Sequence, residues 1–286
     1  MTIFFQKIVL KYTFFIFKHS FIIKLMSFIS RMFCEVLDFI FPPSCPVCNA
    51  SVSEQGTLCS DCWAKFNWIS DPKCCVCGYP FPANLDLGSH PLCPVCASGK
   101  NELDWLRAAC VYDEFSRNIM LPFKHAGQIR YNKIMSRAMI MALREVEGWR
   151  FEVGGNGQQP PTSYFLPPAL IIPVPLAYRR LWKRGYNQAA LLSRPISRHL
   201  NLPIDVGSVR RKYRPDMGHK NAKQRAENIR GVFEVVRPDA IKGKTILLVD
   251  DVMTTGATFA ELRRVLKRAG AKAVYGVVFC RVVRAI

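Results

Sequence analysis

The chain has 286 residues and 32.5 kDa, with 50% hydrophobic and 21% charged residues. That balance excludes wholesale disorder and leaves room for two modest domains, or one with an appended module. Forty Lys and Arg against 21 Asp and Glu leave +19, with a sequence pI near 9.7. Such a field attracts phosphates, whether in nucleic acid, membrane headgroups or small anions.

Residues 1–33 contain no acid. A spanning helix needs about 20 apolar residues without charges, and here Lys7, Lys11, Lys18, Lys24 and Arg31 interrupt the run. No small-residue cleavage site follows, so a secretory signal is not expected. Lys7, Lys11 and Lys18 share one face of a helical wheel, which suits an amphipathic helix lying on an anionic membrane surface. The other reading is that translation starts at Met26 or Met32. The body of the protein is expected in the cytoplasm, with residues 1–33, if present, at the inner face of the membrane.

Ten of the twelve cysteines lie between Cys34 and Cys96, and eight form four Cys-x-x-Cys knuckles: Cys45/Cys48, Cys59/Cys62, Cys74/Cys77 and Cys93/Cys96. Two knuckles supply the four thiolates that tetrahedral zinc prefers. Pro46 and Pro94 stiffen two of the turns, and Gly78 follows Cys77 where a knuckle often needs positive φ. A disulfide framework would need an oxidising compartment, and no thioredoxin-like surround accompanies the pairs. Two structural Zn2+ ions are therefore expected, in closed sites with no open position for catalysis. Sequential pairing gives 45/48/59/62 and 74/77/93/96, although spacing alone also allows a cross-braced pairing. Cys75 lies inside a knuckle and could replace a neighbour. Cys34, Cys110 and Cys280 read as ordinary buried thiols, and His90 as a loop residue.

Beyond residue 100 the composition changes. Leu106–Tyr112 reads as a strand and Lys133–Glu147 as a helix. Residues 153–163 are Gly, Gln and Pro rich and read as a loop. Ala169–Val174 is a short apolar strand, and Tyr186–Leu200 a helix kinked at Pro195. Thr245–Val249 is a buried strand, Thr258–Ala269 a helix and Ala273–Cys280 a further strand. Such alternation argues for an α/β fold, a parallel sheet with helices on both faces.

The segment from Ile246 to Thr258, ILLVDDVMTTGAT, follows a strand and opens a helix. It has the parts that a phosphorylated ribose needs. Hydroxyl side chains and backbone N–H groups at a helix N-terminus cradle an anion. Gly256 lets backbone approach a phosphate, and adjacent carboxylates at a strand end accept hydrogen bonds from a sugar diol. A Walker-type NTPase is excluded, because the first glycine of that loop would fall on Pro238 and Lys244-Thr245 leads into a strand.

This run resembles the phosphoribosyl pyrophosphate (PRPP) signature of type I phosphoribosyltransferases. Ile172-Pro-Val-Pro-Leu176, Arg180 to Gln188, Phe123-Lys124-His-Ala-Gly127 and Arg225 to Phe233, with the double Cys-x-x-Cys module, resemble the motifs of the competence protein F (ComF) family. The resemblance covers roughly residues 34–286. It implies a small four-cysteine zinc-ribbon module, present twice, at 34–100 and a type I phosphoribosyltransferase-like domain at 101–286, after the basic hydrophobic extension 1–33.

In such a domain Asp250 and Asp251 would bind the ribose 2′ and 3′ hydroxyls. Thr254, Thr255, Gly256, Ala257 and Thr258 would wrap the 5′-phosphate. The loop from Val174 would handle pyrophosphate, with Arg180 and Arg184 placed in sequence to neutralise it. Mg2+ would come with PRPP, held mainly by ligand oxygens and water. No residue is assigned a catalytic role. The family pattern often has Gln and Leu where this chain has Met217 and Lys220, so the acceptor is not readable. An amidotransferase is disfavoured, since the chain begins Met-Thr-Ile and not with a nucleophilic cysteine.

From Ala177 to Arg237 there are 15 Lys and Arg against four acids, with Tyr178, Trp182, Tyr186, Tyr213 and Phe233 interleaved. Bases could stack on such aromatics, and the ComF family is associated with natural transformation. Single-stranded DNA is the expected partner, together with DNA-uptake machinery, and Arg210, Arg211 and Lys212 are one candidate patch. Two other functions stay open: transfer to an unidentified acceptor, and PRPP sensing without chemistry.

Overall fold

The computed structural model describes residues 41–88, 90–99, 104–125, 127–144, 166–212 and 229–283. The extension 1–33, Cys34, the loop 153–163, Tyr213, Met217, Lys220 and Arg225–Asn228 lie outside the described residues.

Four parallel strands form the central sheet: β1 (Trp105–Val111), β2 (Leu170–Pro173), β5 (Thr245–Met253) and β6 (Ala273–Arg281), in the order β1-β6-β5-β2. A short antiparallel pair, β3 (Val209–Arg211) with β4 (Phe233–Val235), stands beside it. The side chains of β5 alternate as a two-residue period requires. Leu247 and Val249 join one apolar cluster, while Ile246 and Leu248 join the other.

The first cluster is completed by α1 (Glu114–His125), α2 (Asn132–Arg144) and α4 (Gln188–Leu200), through Ile119, Phe123, Met135, Met139, Leu192 and Ile196. The second is completed by α5 (Ala257–Arg268), through Phe259, Leu262 and Leu266. Helices thus cover both faces, as the alternation of elements predicts. A shorter helix, α3 (Tyr178–Arg184), buries no residue.

The expected strands and helices are present with small shifts that have local causes. Helix α4 starts at Gln188 because the Asn187 side chain caps it, accepting from the Ala189 N–H at 3.0 Å. It continues through Pro195 to Leu200 and ends on Asn201, at φ 50°. Strand β5 runs four residues past Val249, because β6 keeps pairing with it as far as Met253↔Arg281. Helices α1 and α3 are additions to the sequence reading. Pro122 inside α1 argues against a helix in the sequence, and α3 buries no residue.

Both outer strands have company on their far sides. Ile69 N–H donates to Ala109 O at 3.0 Å, and Val111 N–H to Asn67 O at 2.8 Å, which lays residues 67–69 along β1. On the opposite side, Ile171 N–H donates to Pro203 O and Asp205 N–H to Ile171 O, both at 2.9 Å, along β2.

Gly276 marks the tightest point between sheet and helix. A Cβ there would come within 2.7 Å of Phe259 Cε1 and 2.9 Å of Leu106 Cδ1. Gly276→Ala is expected to lower stability by about 1–3 kcal/mol through overpacking, read from the midpoint of urea unfolding. An unchanged midpoint would mean that the α5 face yields where the packing says it cannot.

Candidate functional site

The acidic pair stands at the carboxyl end of β5. In the register with β2, Pro173 lies opposite Val249, and Val174 N–H donates to Val249 O at 2.9 Å. The loop from Val174 therefore leaves the sheet directly beside Asp250 and Asp251. Crevices at the carboxyl ends of parallel strands are where open α/β sheets bind ligands.

Asp251 is buried, at 5% exposure, and its N–H donates to Asp250 Oδ1 at 2.9 Å. Asp250 keeps some exposed surface, but its carboxyl is crowded by protein. Loss of hydration, then the neighbouring Asp251 carboxylate, push Asp250 up to about 8, while Lys124 and Arg211 act the other way. Lys124 Nζ lies 3.1 Å from Asp251 Oδ1.

After β5 the chain turns through exposed Thr254 and Thr255 into half-buried Gly256, Ala257 and Thr258. Gly256 is the N-cap of α5 and adopts φ 80°, left-handed backbone that glycine takes at no steric cost. The first-turn N–H groups of α5 have no partners within the helix, and its dipole favours an anion there. Phe259 and Leu262 bury the next turn and fix the direction of this end.

Arg180 and Arg184 lie one turn apart on α3. Arg180 is exposed. Arg184 is half-buried, and its Nη1 donates to Gln188 Oε1 at 3.1 Å. Burial first, then the nearness of Arg184, Lys124 and Lys183, hold the His125 imidazole below its usual range. The geometry therefore joins Arg184 to the end of α1 and, through Lys124, to Asp251.

The eight knuckle cysteines gather in two groups, Cys45/Cys48/Cys59/Cys62 and Cys74/Cys77/Cys93/Cys96. In each group the sulfurs lie within 4.8 Å of one another. The pairing is sequential, which removes the cross-braced alternative, and Cys75 belongs to neither group. Cys48 and Cys59 sulfurs are 3.5 Å apart, and Cys77 and Cys93 sulfurs 3.6 Å. Tetrahedral zinc with thiolates at about 2.3 Å puts sulfurs about 3.8 Å apart, so both sets fit the ion.

The knuckle turns use positive φ at Asn49, 62°, and at Gly78, 63°. The Cys74 thiol is held down to about 4 by hydrogen bonding with Cys77, with further help from backbone N–H groups, while that same bond pushes Cys77 up and burial pushes Cys96 up.

The second group is pressed onto the sheet. Arg281, at the end of β6, donates through Nη1 to Cys77 O and approaches Cys77 Sγ at 3.7 Å. Arg107 of β1 donates through Nη2 to Cys75 O at 3.1 Å. Both arginines are buried, at 7% exposure for Arg281 and 9% for Arg107. The first group rests on α2 instead, where Glu54 pairs with Lys133 and Arg137 at 3.1 and 2.7 Å.

Comparison with known proteins supports this arrangement. Residues 36–97 match the double zinc ribbon domain family, and residues 187–284 match the phosphoribosyl transferase domain family. "Competence protein F" of Haemophilus influenzae is 30% identical over 230 residues, 79% of this chain and 90% of that protein. The chain belongs to the competence protein F family. "DNA utilization protein YhgH" of Escherichia coli is 28% identical over 242 residues, 83% of this chain and 89% of that protein. "Competence protein ComFC" of Bacillus subtilis is 22% identical over 246 residues, 79% of this chain and 89% of that protein.

The family motifs converge in space. The Tyr186 hydroxyl donates to Phe123 O, Gln188 Nε2 donates to Lys124 O at 3.4 Å, and Asn187 Nδ2 donates to Val174 O at 3.1 Å. The turn at 186–188 thus ties the Phe123–Gly127 motif to the loop after β2. Gly231, from the motif that ends at Phe233, donates its N–H to Glu261 of α5 at 2.6 Å. In the sequence, Phe123-Lys124-His125 reads as family signature with no place in the site. A lysine in the last turn of a helix, three residues before a loop glycine, is the signal that could have placed it.

The basic triplet 210–212 is divided. Arg210 and Lys212 both lie near Glu234, at 3.0 and 3.7 Å, while Arg211 covers the Phe233 ring at 5.5 Å. Among the described residues no helix is long and apolar enough to cross a membrane.

Proposed function

We propose that the chain binds PRPP with Mg2+ at the carboxyl ends of β5 and β2, and serves the uptake or handling of single-stranded DNA during natural transformation. One observation carries the first half: two adjacent carboxylates at a strand end lead, through a left-handed Gly256, into the open N-terminus of a helix. In this reading Asp250 and Asp251 accept from the ribose hydroxyls. Residues Thr254 to Thr258 enclose the 5′-phosphate, and Arg180 and Arg184 neutralise pyrophosphate. Mg2+ is held by ligand oxygens and water. The second half rests on relatives named for competence and DNA utilization, and on the +19 charge of the chain. The setting is cytoplasmic, with residues 1–33 against the membrane.

The test is calorimetric titration of PRPP into zinc-replete protein, with and without Mg2+. Saturable binding that needs Mg2+ is expected; no heat in either condition ends this reading. The acceptor-side positions Met217 and Lys220 lie outside the described residues, so no acceptor is assigned.

For DNA, α3 is the better-suited surface than residues 210–212. Tyr178 and Trp182 lie one turn apart at 72% and 80% exposure, among Arg179, Arg180 and Lys183. Stacked bases contribute about 1–3 kcal/mol each. Tyr178→Ala with Trp182→Ala is expected to weaken binding of a fluorescent single-stranded oligonucleotide roughly tenfold or more. Equal anisotropy curves for wild type and variant would remove α3 from the DNA path.

A further inference from the structure

Adjacent carboxylates on one crowded strand end repel each other, and a sugar diol needs both as acceptors. An ionised carboxyl accepts hydrogen bonds at every lone pair, whereas a protonated one turns partly into a donor. A cation beside the pair favours that charged form before a ligand arrives. The groups that face it are Lys124 and His125 at the end of α1, and Arg211 on β3. Lys124 stands at ion-pair distance from Asp251, at 3.1 Å, with 18% side-chain exposure against 7% for the aspartate.

The backbone that carries Lys124 is held in place. The last carbonyls of a helix have no partners within it, and here Phe123 O and Lys124 O accept from Tyr186 and Gln188. The same turn is fixed to Val174 O through Asn187. Lys124 is therefore aimed at the acidic pair by the loop that borders the site, and Arg184 joins that frame through Gln188.

We propose that Lys124 is a positioning residue of this site, which through its ion pair with Asp251 favours the charged, acceptor form of the acidic pair over the protonated one and so prepares it for a sugar diol. The assignment rests on the PRPP reading above for its ligand, but not for the contact itself. Asp250 is already pushed up to about 8, by loss of hydration and by Asp251, with Lys124 opposing. Removing the ammonium raises it further. Ligand affinity then falls as pH drops through that higher value, and returns when pH is raised above it.

The experiment uses Lys124→Met and Lys124→Arg in the full zinc-replete chain, with PRPP and Mg2+ titrated at matched pH between about 7 and 9, so that ligand ionisation cancels between proteins. Lys124→Met is expected to bind about tenfold more weakly at the lower pH, the factor that corresponds to a carboxyl pKa about one unit higher. It should approach wild type at the higher pH. Lys124→Arg is expected to stay near wild type throughout. A loss in Lys124→Met that is equal at every pH overturns the proposal, because it marks a direct contact with the ligand's phosphates. Wild-type affinity in Lys124→Met at every pH overturns it as well.

A second arm needs no ligand. Carbon-detected NMR titration of the Asp250 carboxyl in the ligand-free proteins should show a higher midpoint in Lys124→Met and little change in Lys124→Arg. That rise supports the assignment even if PRPP fails to bind wild type, and identical titrations overturn it even if PRPP binds. Near-ultraviolet circular dichroism checks that each variant is folded. A misfolded Lys124→Met leaves the decision to Lys124→Arg and to Lys124→Gln, for which the same rise and pH rescue as in Lys124→Met are expected.

Discussion

Replacing Asp250 and Asp251 together by Asn is expected to abolish PRPP binding at concentrations that saturate wild type, with the fold intact. The amides are isosteric, so the strand end keeps its shape, but each loses its charge and half its acceptor capacity. Hydrogen bonds to a charged partner contribute about 1.5–3 kcal/mol each, so two of them correspond to a loss of roughly a hundredfold to ten-thousandfold. Calorimetry on the variant, with its thermal unfolding measured alongside, checks both halves of the statement. Binding equal to wild type would show that the ribose hydroxyls are held elsewhere.

The single variant Asp250→Asn has a stability signature of its own, and its sign follows from linkage. The folded-state value lies near 8, above the ordinary aspartate value of 3.8. The folded protein thus binds a proton more tightly than the unfolded chain does. That favourable contribution is lost as pH rises from the lower value through the higher. Asparagine removes this dependence. The gain in unfolding temperature of Asp250→Asn over wild type should therefore be larger at pH 8 than at pH 5, in the absence of ligand. A gain that shrinks with rising pH would reverse the assignment of burial as the dominant cause.

The second large effect concerns the metal beside the sheet. Four thiolates and one Zn2+ leave a net charge of −2 in each four-cysteine group. At the second group that charge lies beside Arg107 and Arg281, both buried and both bonded to the Cys75–Cys77 turn. Loss of the ion lets the thiols take up protons, and the buried Arg281 guanidinium, 3.7 Å from Cys77 Sγ, then loses the thiolate beside it. Removing one partner of a buried charge pair costs about 3–5 kcal/mol, on top of the metal's own contribution to folding.

Cys77→Ser is therefore expected to lower the unfolding transition of the whole sheet. Cys48→Ser, in the first group with its exposed sulfur ligand, should release zinc with a smaller drop. Zinc content by mass spectrometry, with Trp105 fluorescence as the probe, follows both events, since the Arg107 guanidinium lies 4.4 Å from that ring. Equal transitions for the two variants would show that the arginines do not couple metal to sheet.

Much of this was legible in the sequence, for reasons that are local. Cys-x-x-Cys spacing dictates a knuckle, period-two apolar runs dictate strands, and the run from Ile246 through Asp250-Asp251 and Gly256 predicts the strand, turn and helix that form there. What was not legible depends on chain closure. Knuckle pairing needs the fold of the ribbons. Lys124 and Asp251 meet only because α1 and β5 end at the same side of the sheet. Arg107 lies within an apolar strand pattern, Leu106–Tyr112, where an arginine reads as solvent-facing. Its burial makes sense only once the Cys75 carbonyl is placed over it. Helix α3 escaped detection because it buries nothing, and an apolar stripe is what periodicity detects.

The strip at residues 67–69 that runs along β1 belongs to the polypeptide between the two cysteine groups. A strand left with bare N–H and C=O groups is a template for pairing with another molecule. A version of this chain trimmed to begin at residue 101 would uncover β1, and two such molecules could join edge to edge, as could a third and a fourth. In the intact chain residues 67–69 occupy that edge, so the stretch between the two cysteine groups guards the sheet against such pairing.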